Sequence, residues 1–185
     1  MTQNDAARAA ARDAVRVQKL IDAFRIRGHA EADLDPLGIA PRESHPDLAP
    51  ESYGFSEEDL DRPVHCEESF GLELSTVREI VDAARATYCG TVGIEYMHIQ
   101  APDERAWIQE RVEQRKVTHS PEHRTAILER LTAAESFERY LHRKFVGTKR
   151  FGLDGGESTM VALEQILLSA ARSEVDELVL GMAHR

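Results

Sequence analysis

The feature that most constrains the fold is the apolar run "ELVLG", which comes just before the last four residues, "MAHR". Residues 177–181 follow a long helical segment, and their composition predicts a buried parallel strand. A parallel strand needs neighbouring strands that crossover connections supply, and no residue follows Arg185. We therefore expect the chain to stop inside an α/β unit and to lack the sequence that would complete its sheet.

Composition excludes several classes of protein. The 185 residues carry a net charge of −10, so no basic excess is available to neutralise nucleic-acid phosphates. Two cysteines, Cys66 and Cys89, provide no disulfide framework and favour a reducing cytosol. No apolar run approaches the roughly 18 residues that a membrane-spanning helix needs. The Ala- and Arg-rich start faintly resembles a mitochondrial presequence, but Asp5 and Asp13 favour an ordinary amphipathic helix. We expect a bacterial cytoplasmic protein rather than a mitochondrial-matrix one.

Apolar side chains recur at helical spacing in five segments. The pattern from residue 120 onward allows either one bent helix or two short ones. The helix signals are a stop at Gly28 and starts at Ser75, Pro102, Ser120 and Glu157. The sequence therefore predicts a mainly helical chain.

Three connecting segments have their own signals. Residues 35–38, "DPLG", favour a type I turn. Residues 40–63 are rich in proline, serine and acidic side chains, which predicts a long surface connection with one short helix capped by Ser56. The stretch "CGTVGIEYMHI" is apolar and interrupted by Gly90 and Gly93, so we expect a buried loop or a short strand.

His184 and Arg185 are the candidate functional residues, because ligands of open α/β sheets sit beyond the carboxyl ends of the strands. An Arg guanidinium matches carboxylate or phosphate oxygens, and a His can bind a substrate and transfer a proton near neutral pH. The alternative is a polar tail that happens to contain His and Arg, and spacing alone favours that alternative.

Two further patterns could hold ligands. "GLDGGES" could direct glycine amides at an anion, although a tight turn with Glu157 near the helix dipole is the favoured interpretation. His65, Cys66, Cys89 and His98 could be considered as metal ligands, but their spacing is poor for chelation and no CxxC or HExxH motif occurs. We expect the two cysteines to be small buried residues.

Four stretches together resemble a known family: "RIRGHAEADLDPLGI", "YCGTVGIEYMHI", "FERYLHRKFVGTKRFGLDGGES" and "LVLGMAHR". In this order and at these separations they closely resemble the amino-terminal part of the decarboxylating first component of the 2-oxoglutarate dehydrogenase complex. The resemblance covers about residues 12–185. It implies a helical amino-terminal region with long surface loops over residues 1–147. The beginning of an incomplete thiamine-diphosphate-binding, transketolase-like parallel-sheet domain is implied over residues 148–185.

The resemblance implies an oxidoreductase of the tricarboxylic acid cycle that uses thiamine diphosphate and Mg²⁺. Members oxidatively decarboxylate 2-oxoglutarate and pass the succinyl group to a lipoyl-bearing succinyltransferase component, with the thiazolium ring accepting the electrons freed by loss of carbon dioxide. They are homodimers with active sites at the subunit interface. When the family's motif is matched residue by residue to this sequence, the resemblance implies that His184 lies against the substrate and its covalent adduct. Arg185 would lie near substrate and cofactor.

The sequence departs from the family where it stops. The family motif continues into Gly-Arg-Leu-Asn, and the second active-site histidine, the Gly-Asp-Gly metal motif and the pyrimidine-binding domain would all follow Arg185. We therefore expect this chain alone neither to bind thiamine diphosphate tightly nor to turn over substrate, and we assign it no metal ligand. Two alternatives remain open: a non-catalytic helical interaction module derived from the enzyme, and the same part of a paralogue that acts on 2-oxoadipate.

Overall fold

The computed structural model describes residues 3–39, 41, 43–114 and 118–181. The chain divides into two compact units, Met1–Lys116 and Val117–Arg185. Both are mainly helical, as predicted, and the first also contains one small antiparallel sheet. Among the described residues, no helix is both long and apolar enough to cross a membrane. The predicted boundary at residue 147 concerns the start of a cofactor-binding domain and stays a prediction.

The first unit is organised around helix α1, Gln3–Arg27. Apolar residues recur at Ala10, Ala14, Val17, Ile21 and Phe24, and the predicted face is confirmed for the last three, which are fully buried, whereas Ala10 is exposed. A 3-10 turn, Gly28–Glu31, follows directly. The periodicity of the sequence therefore placed both the helix and its buried side correctly.

Gly28 ends α1 as predicted, and it also makes a close helix approach possible. Helix α2, Val77–Tyr88, passes so near that a Cβ on Gly28 would lie 2.4 Å from the Cβ of Tyr88. Real Cβ contacts of that length essentially never occur. A glycine is therefore required here by packing as well as by helix termination.

The segment between α1 and the sheet is only partly the surface connection that the sequence predicted. The short helix capped by Ser56 is confirmed as a 3-10 turn with a capping box, in which Asp59 accepts from the Ser56 amide at 2.9 Å. However, Leu48, Phe55 and Leu60 insert into the core. Isolated apolar residues in a loop carry no periodic signal, so the sequence did not reveal their burial.

A β-hairpin, which the sequence analysis missed, precedes α2. Strand β1, Pro63–Ser69, pairs antiparallel with β2, Leu72–Thr76. Phe70 and Gly71 form the two-residue turn with φ values of 58° and 73°, which is the backbone of a type I′ hairpin turn. Phenylalanine does not predict a turn, because it rarely adopts a positive φ. An edge-on contact with the ring of Tyr88 stabilises Phe70 in this turn.

The cap of α2 lies one residue later than predicted. Thr76, not Ser75, accepts from the Glu79 amide at 3.2 Å, and Glu79 accepts in return from the Thr76 amide at 2.9 Å. Ser75 is engaged in the hairpin opposite Val64. The local sequence offered two capping residues, and strand pairing selects the second.

The remaining parts of the first unit follow the predictions with one exception. The 35–38 turn closes with the Gly38 amide donating to the Asp35 carbonyl at 3.1 Å, and helix α3 spans Pro102–Gln114. "CGTVGIEYMHI" forms a loop, but the predicted burial is confirmed only at Tyr96, since Val92 is 64% exposed. One apolar core unites these elements: Val17, Leu20, Ile21, Ala23, Phe24, Leu48, Phe55, Leu60, Val64, Cys66, Val77, Ile80, Ala84, Tyr88 and Tyr96.

The second unit contains two helices, α4 (Pro121–Lys144) and α5 (Ser158–Arg172). The pattern after residue 120 is thus one continuous helix, and it begins at the predicted cap. Arg130 of α4 pairs with Glu164 of α5, with Nε and Oε2 2.8 Å apart. No described side chain of this unit is buried, so it lacks a core of its own.

The predicted strand over residues 177–181 is wrong as a statement about this chain. The described residues 174–181 form no strand, and the side chain of Val179 is 82% exposed. The physical reason is that a parallel strand forms only when a neighbouring strand accepts from its backbone amides and donates to its backbone carbonyls. No described segment of the second unit provides one.

The Gly28 contact generates a stability prediction. Gly28→Ala should lower the free energy of unfolding of the first unit by about 1–3 kcal/mol, because the added Cβ must displace Tyr88. Urea unfolding followed by the fluorescence of Trp107, the single tryptophan, measures this. Gly90→Ala is the matched control, since its Cβ would make only an ordinary 3.7 Å contact. Equal effects of the two substitutions would contradict the prediction.

Candidate functional site

The two predicted site residues, His184 and Arg185, lie outside the described residues. Their roles therefore stay predictions. Polar groups also converge in the described parts of the chain, among them at the glycine-rich loop before α5, in the groove beside that loop, and in a buried cluster of the first unit.

The glycine-rich loop binds the carboxylates of its own chain. The Leu153 amide donates to Glu138 at 2.6 Å, and the Gly155 amide donates to Glu157 at 3.2 Å. Gly155 has φ +81°, the left-handed conformation of a tight turn. These contacts support the turn interpretation of "GLDGGES" over an anion site, because two of its amides already face negative oxygens.

A groove of about 990 Å³ lies between the end of α4 and this loop. His142 and Arg150 line it, with the Arg150 Nη2 3.0 Å from the His142 Nδ1. Arg150 also donates to the Phe145 carbonyl, and Glu138 adds a carboxylate to the lining. Guanidinium, imidazole and carboxylate groups of an open groove can bind a polar ligand, but Arg150 is already paired with His142, and Glu138 already accepts from the Leu153 amide. The geometry assigns the groove no reaction.

A buried polar cluster lies in the first unit around Arg25 and Glu113. The Arg25 guanidinium meets the Glu113 carboxylate in two parallel contacts, Nε to Oε1 at 2.7 Å and Nη2 to Oε2 at 3.0 Å. The side chains are only 7% and 5% exposed. Burial by itself lowers the pKa of Arg25, but hydrogen bonds and opposite charge from Glu113 and Asp22 raise it, so the guanidinium stays charged.

Two tyrosines and a serine complete the cluster. Tyr88 donates its hydroxyl hydrogen to Glu113 Oε1 at 2.8 Å and lies 2.8 Å from the Tyr96 hydroxyl. Ser69 Oγ accepts from Arg25 Nη2 at 3.2 Å. Burial is the main cause that raises the pKa of both tyrosines. The cluster satisfies its own polar groups and fixes helices and hairpin to one another, which makes it a structural site.

No sequence pattern indicated this cluster. Arg25 lies in the last turn of α1, where a cation suits the helix dipole, and that local role requires no distant partner. Glu113 lies 88 residues away on a helix that buries no residue completely. No local pattern links two such positions, so their pairing becomes visible only in the fold.

The four candidate metal ligands are not brought together. Cys66 is buried and its thiol donates to the Leu72 carbonyl at 3.2 Å, whereas His65 and His98 are exposed. Cys89 is half-buried, and burial raises the pKa of both thiols. Within the described residues, no group of three or more His, Cys, Asp or Glu side chains could hold a metal ion. The expectation of small buried cysteines is confirmed for Cys66.

The Arg25–Glu113 pair generates a double-mutant prediction. Arg25→Met should lower the free energy of unfolding by about 3–5 kcal/mol, because the Glu113 carboxylate would be left buried without its cation. Arg25→Met combined with Glu113→Met should recover most of that loss, since no unpaired charge remains. Urea unfolding followed by Trp107 fluorescence reports both.

Arg78→Met is the control for this cycle. Arg78 pairs with Asp61 at the surface, with Nε and Oδ1 2.8 Å apart, so its removal should leave stability nearly unchanged. If Arg25→Met behaved like Arg78→Met, the buried pair would not have the structural role assigned to it.

Comparison with curated proteins gives one consistent result, while no protein-family model matches the chain. Proteins named 2-oxoglutarate dehydrogenase E1 component from Brucella ovis, Brucella canis and Brucella suis are each 50% identical to it over 179 residues. The match covers 95% of this chain and 18% of each relative. The chain thus spans about a fifth of the length of these relatives, at their amino-terminal end. The resemblance inferred from the four sequence stretches is confirmed: the chain is related to the amino-terminal part of 2-oxoglutarate dehydrogenase E1 components.

Proposed function

We propose that this chain is the amino-terminal part of a 2-oxoglutarate dehydrogenase E1 component. The observation that carries the proposal is the 50% identity to such proteins over 95% of the chain. The complete protein would oxidatively decarboxylate 2-oxoglutarate and transfer the succinyl group to a lipoyl carrier in the tricarboxylic acid cycle. Its cofactors would be thiamine diphosphate and Mg²⁺.

His184 and Arg185 are the residues of this chain that we assign to the reaction. The substrate carries two carboxylates and the cofactor a diphosphate, so a guanidinium offers each of them paired, charged hydrogen bonds. An imidazole can hold or transfer a proton at a substrate oxygen near neutral pH. When bound, the cofactor supplies the electron sink for decarboxylation.

The exposed apolar surface of the second unit supports its place in a larger domain. Helix α5, "STMVALEQILLSAAR", is apolar around most of its circumference, which is typical of helices buried on more than one side. Met160, Ile166 and Leu168 remain between 44% and 53% exposed. We propose that residues 148–185 begin the thiamine-diphosphate-binding domain.

Partners and location follow from the same proposal. The complete enzyme would be a homodimer that works with a lipoyl-bearing succinyltransferase component in the bacterial cytoplasm. The bacterial origin of the relatives supports this location, and the acidic composition supports the absence of a nucleic-acid role.

A second candidate function is a helical interaction module without chemistry. It is favoured by one observation: the first unit has a closed core and a self-satisfied polar cluster. A third possibility, a 2-oxoadipate-specific paralogue, would differ in substrate length. Both are distinguished from the main proposal by the experiments below.

Calorimetry on the 185-residue chain provides a first test. Titration with thiamine diphosphate and Mg²⁺ should show no stoichiometric binding, because an incomplete sheet cannot position groups around the diphosphate. The longer protein, whose chain continues past Arg185 into Gly-Arg-Leu-Asn, should bind the cofactor. Stoichiometric binding by the 185-residue chain would overturn the expectation that this chain alone lacks a complete cofactor site.

Kinetics of the longer protein provide the second test. It should release carbon dioxide from 2-oxoglutarate faster than from 2-oxoadipate, and His184→Ala should lower kcat by about 100-fold or more. His142→Ala is the control, because that exposed residue lies in the groove to which we assign no reaction. A stop codon directly after Arg185 would favour the interaction module, and a preference for 2-oxoadipate would favour the paralogue.

A further inference from the structure

We propose that His119 and His123 form a surface site for a borderline divalent transition-metal ion such as Zn²⁺. Their Nδ1 atoms lie 3.4 Å apart, and the two rings are nearly perpendicular, at 79°. Both side chains are exposed, so an ion can reach them from solvent. The pair lies outside the four sequence stretches that carry the family resemblance, and the inference is independent of the proposed enzyme function.

The distance between the two nitrogens suits a shared ion. A tetrahedral Zn²⁺ with Zn–N bonds of about 2.0–2.1 Å holds two ligand nitrogens roughly 3.3–3.4 Å from each other. A direct hydrogen bond from an N–H group is typically shorter, at about 2.7–3.2 Å. The observed 3.4 Å is a long hydrogen bond between the two imidazoles, and it also equals the separation of two nitrogens on one tetrahedral ion, which would replace the shared proton.

Local structure holds the two rings on the same side of the chain. Ser120 caps α4 by accepting from the His123 amide at 3.2 Å, and Pro121 occupies the first helical turn. His119 precedes the cap and His123 lies in the first turn of the helix, and their ring centroids are 4.6 Å apart. The cap and the proline thus fix the backbone between the two ligands before any ion binds.

The ligand set determines which ions fit. Neutral imidazole nitrogens suit Zn²⁺, Cu²⁺ and Ni²⁺, whereas Mg²⁺ prefers oxygen ligands. Two protein ligands leave the remaining coordination positions to water. The positive end of the α4 dipole opposes a cation, and the acidic Glu122 in the same turn supplies opposite charge.

Nuclear magnetic resonance of the untagged chain, with ¹⁵N-labelled imidazoles, tests the proposal. Titration with Zn²⁺ should shift the ring signals of His119 and His123 together and saturate at one ion per chain. The chain has eight histidines, and the other six should respond more weakly. Titration with Mg²⁺ should leave all of them unchanged.

Single substitutions separate a two-residue site from general histidine affinity. His119→Ala and His123→Ala should each weaken Zn²⁺ binding by about 100-fold, because the second ligand contributes through its high effective concentration. His98→Ala should have no effect, since that exposed histidine lies in the first unit. Circular dichroism checks that the helices persist in each variant. Unchanged binding in either single variant, or Zn²⁺ shifts confined to other histidines, would overturn the proposal.

Discussion

The buried pair of Arg25 and Glu113 is the interaction on which the first unit depends. Desolvating two charged groups costs several kcal/mol for each, and only close, fully satisfied geometry offsets that cost. The pair achieves this with two contacts of 2.7 and 3.0 Å and with further hydrogen bonds to a serine and a tyrosine. Helix α3 buries none of its residues completely, so Glu113 is its main directional link to the core. The apolar core supplies most of the driving force, and the ion pair determines how α3 is placed.

The two units differ in how far they can satisfy their own apolar surface. The first unit buries a continuous cluster that includes side chains from α1, α2, the hairpin and the loops between them. The second exposes large apolar side chains throughout, among them Phe137, Phe151 and Val179. An exposed apolar surface of this kind marks a place where other protein packs. This contrast agrees with the proposal that the chain continues into a larger domain on the side of the second unit.

Local signals in the sequence predicted the helices well, whereas features that depend on contacts between distant residues were not predicted. The stop at Gly28 and the cap at Ser120 depend on neighbouring residues alone, and the fold contains both. The hairpin and the burial of Leu48 depend on contacts with distant residues, and no sequence pattern predicted either of them. The strand over residues 177–181 failed for a related reason, because strand composition is local but strand formation requires a partner. The role of His184 stays a prediction that depends on family resemblance, because its spacing alone favoured a polar tail.

The residues that carry the resemblance in the first unit have structural roles. Arg25 begins the first matching stretch, Tyr88 begins the second, and both meet in the buried cluster around Glu113. Gly28 belongs to the first stretch as well, and it allows α2 to approach. These stretches therefore identify a shared fold, since each of the three residues is required by packing or charge pairing. Chemistry is a separate matter, because the polar groups of this cluster are hydrogen-bonded to one another. Under the proposed function, the residues of this chain assigned to the reaction are His184 and Arg185, which belong to neither this cluster nor its core.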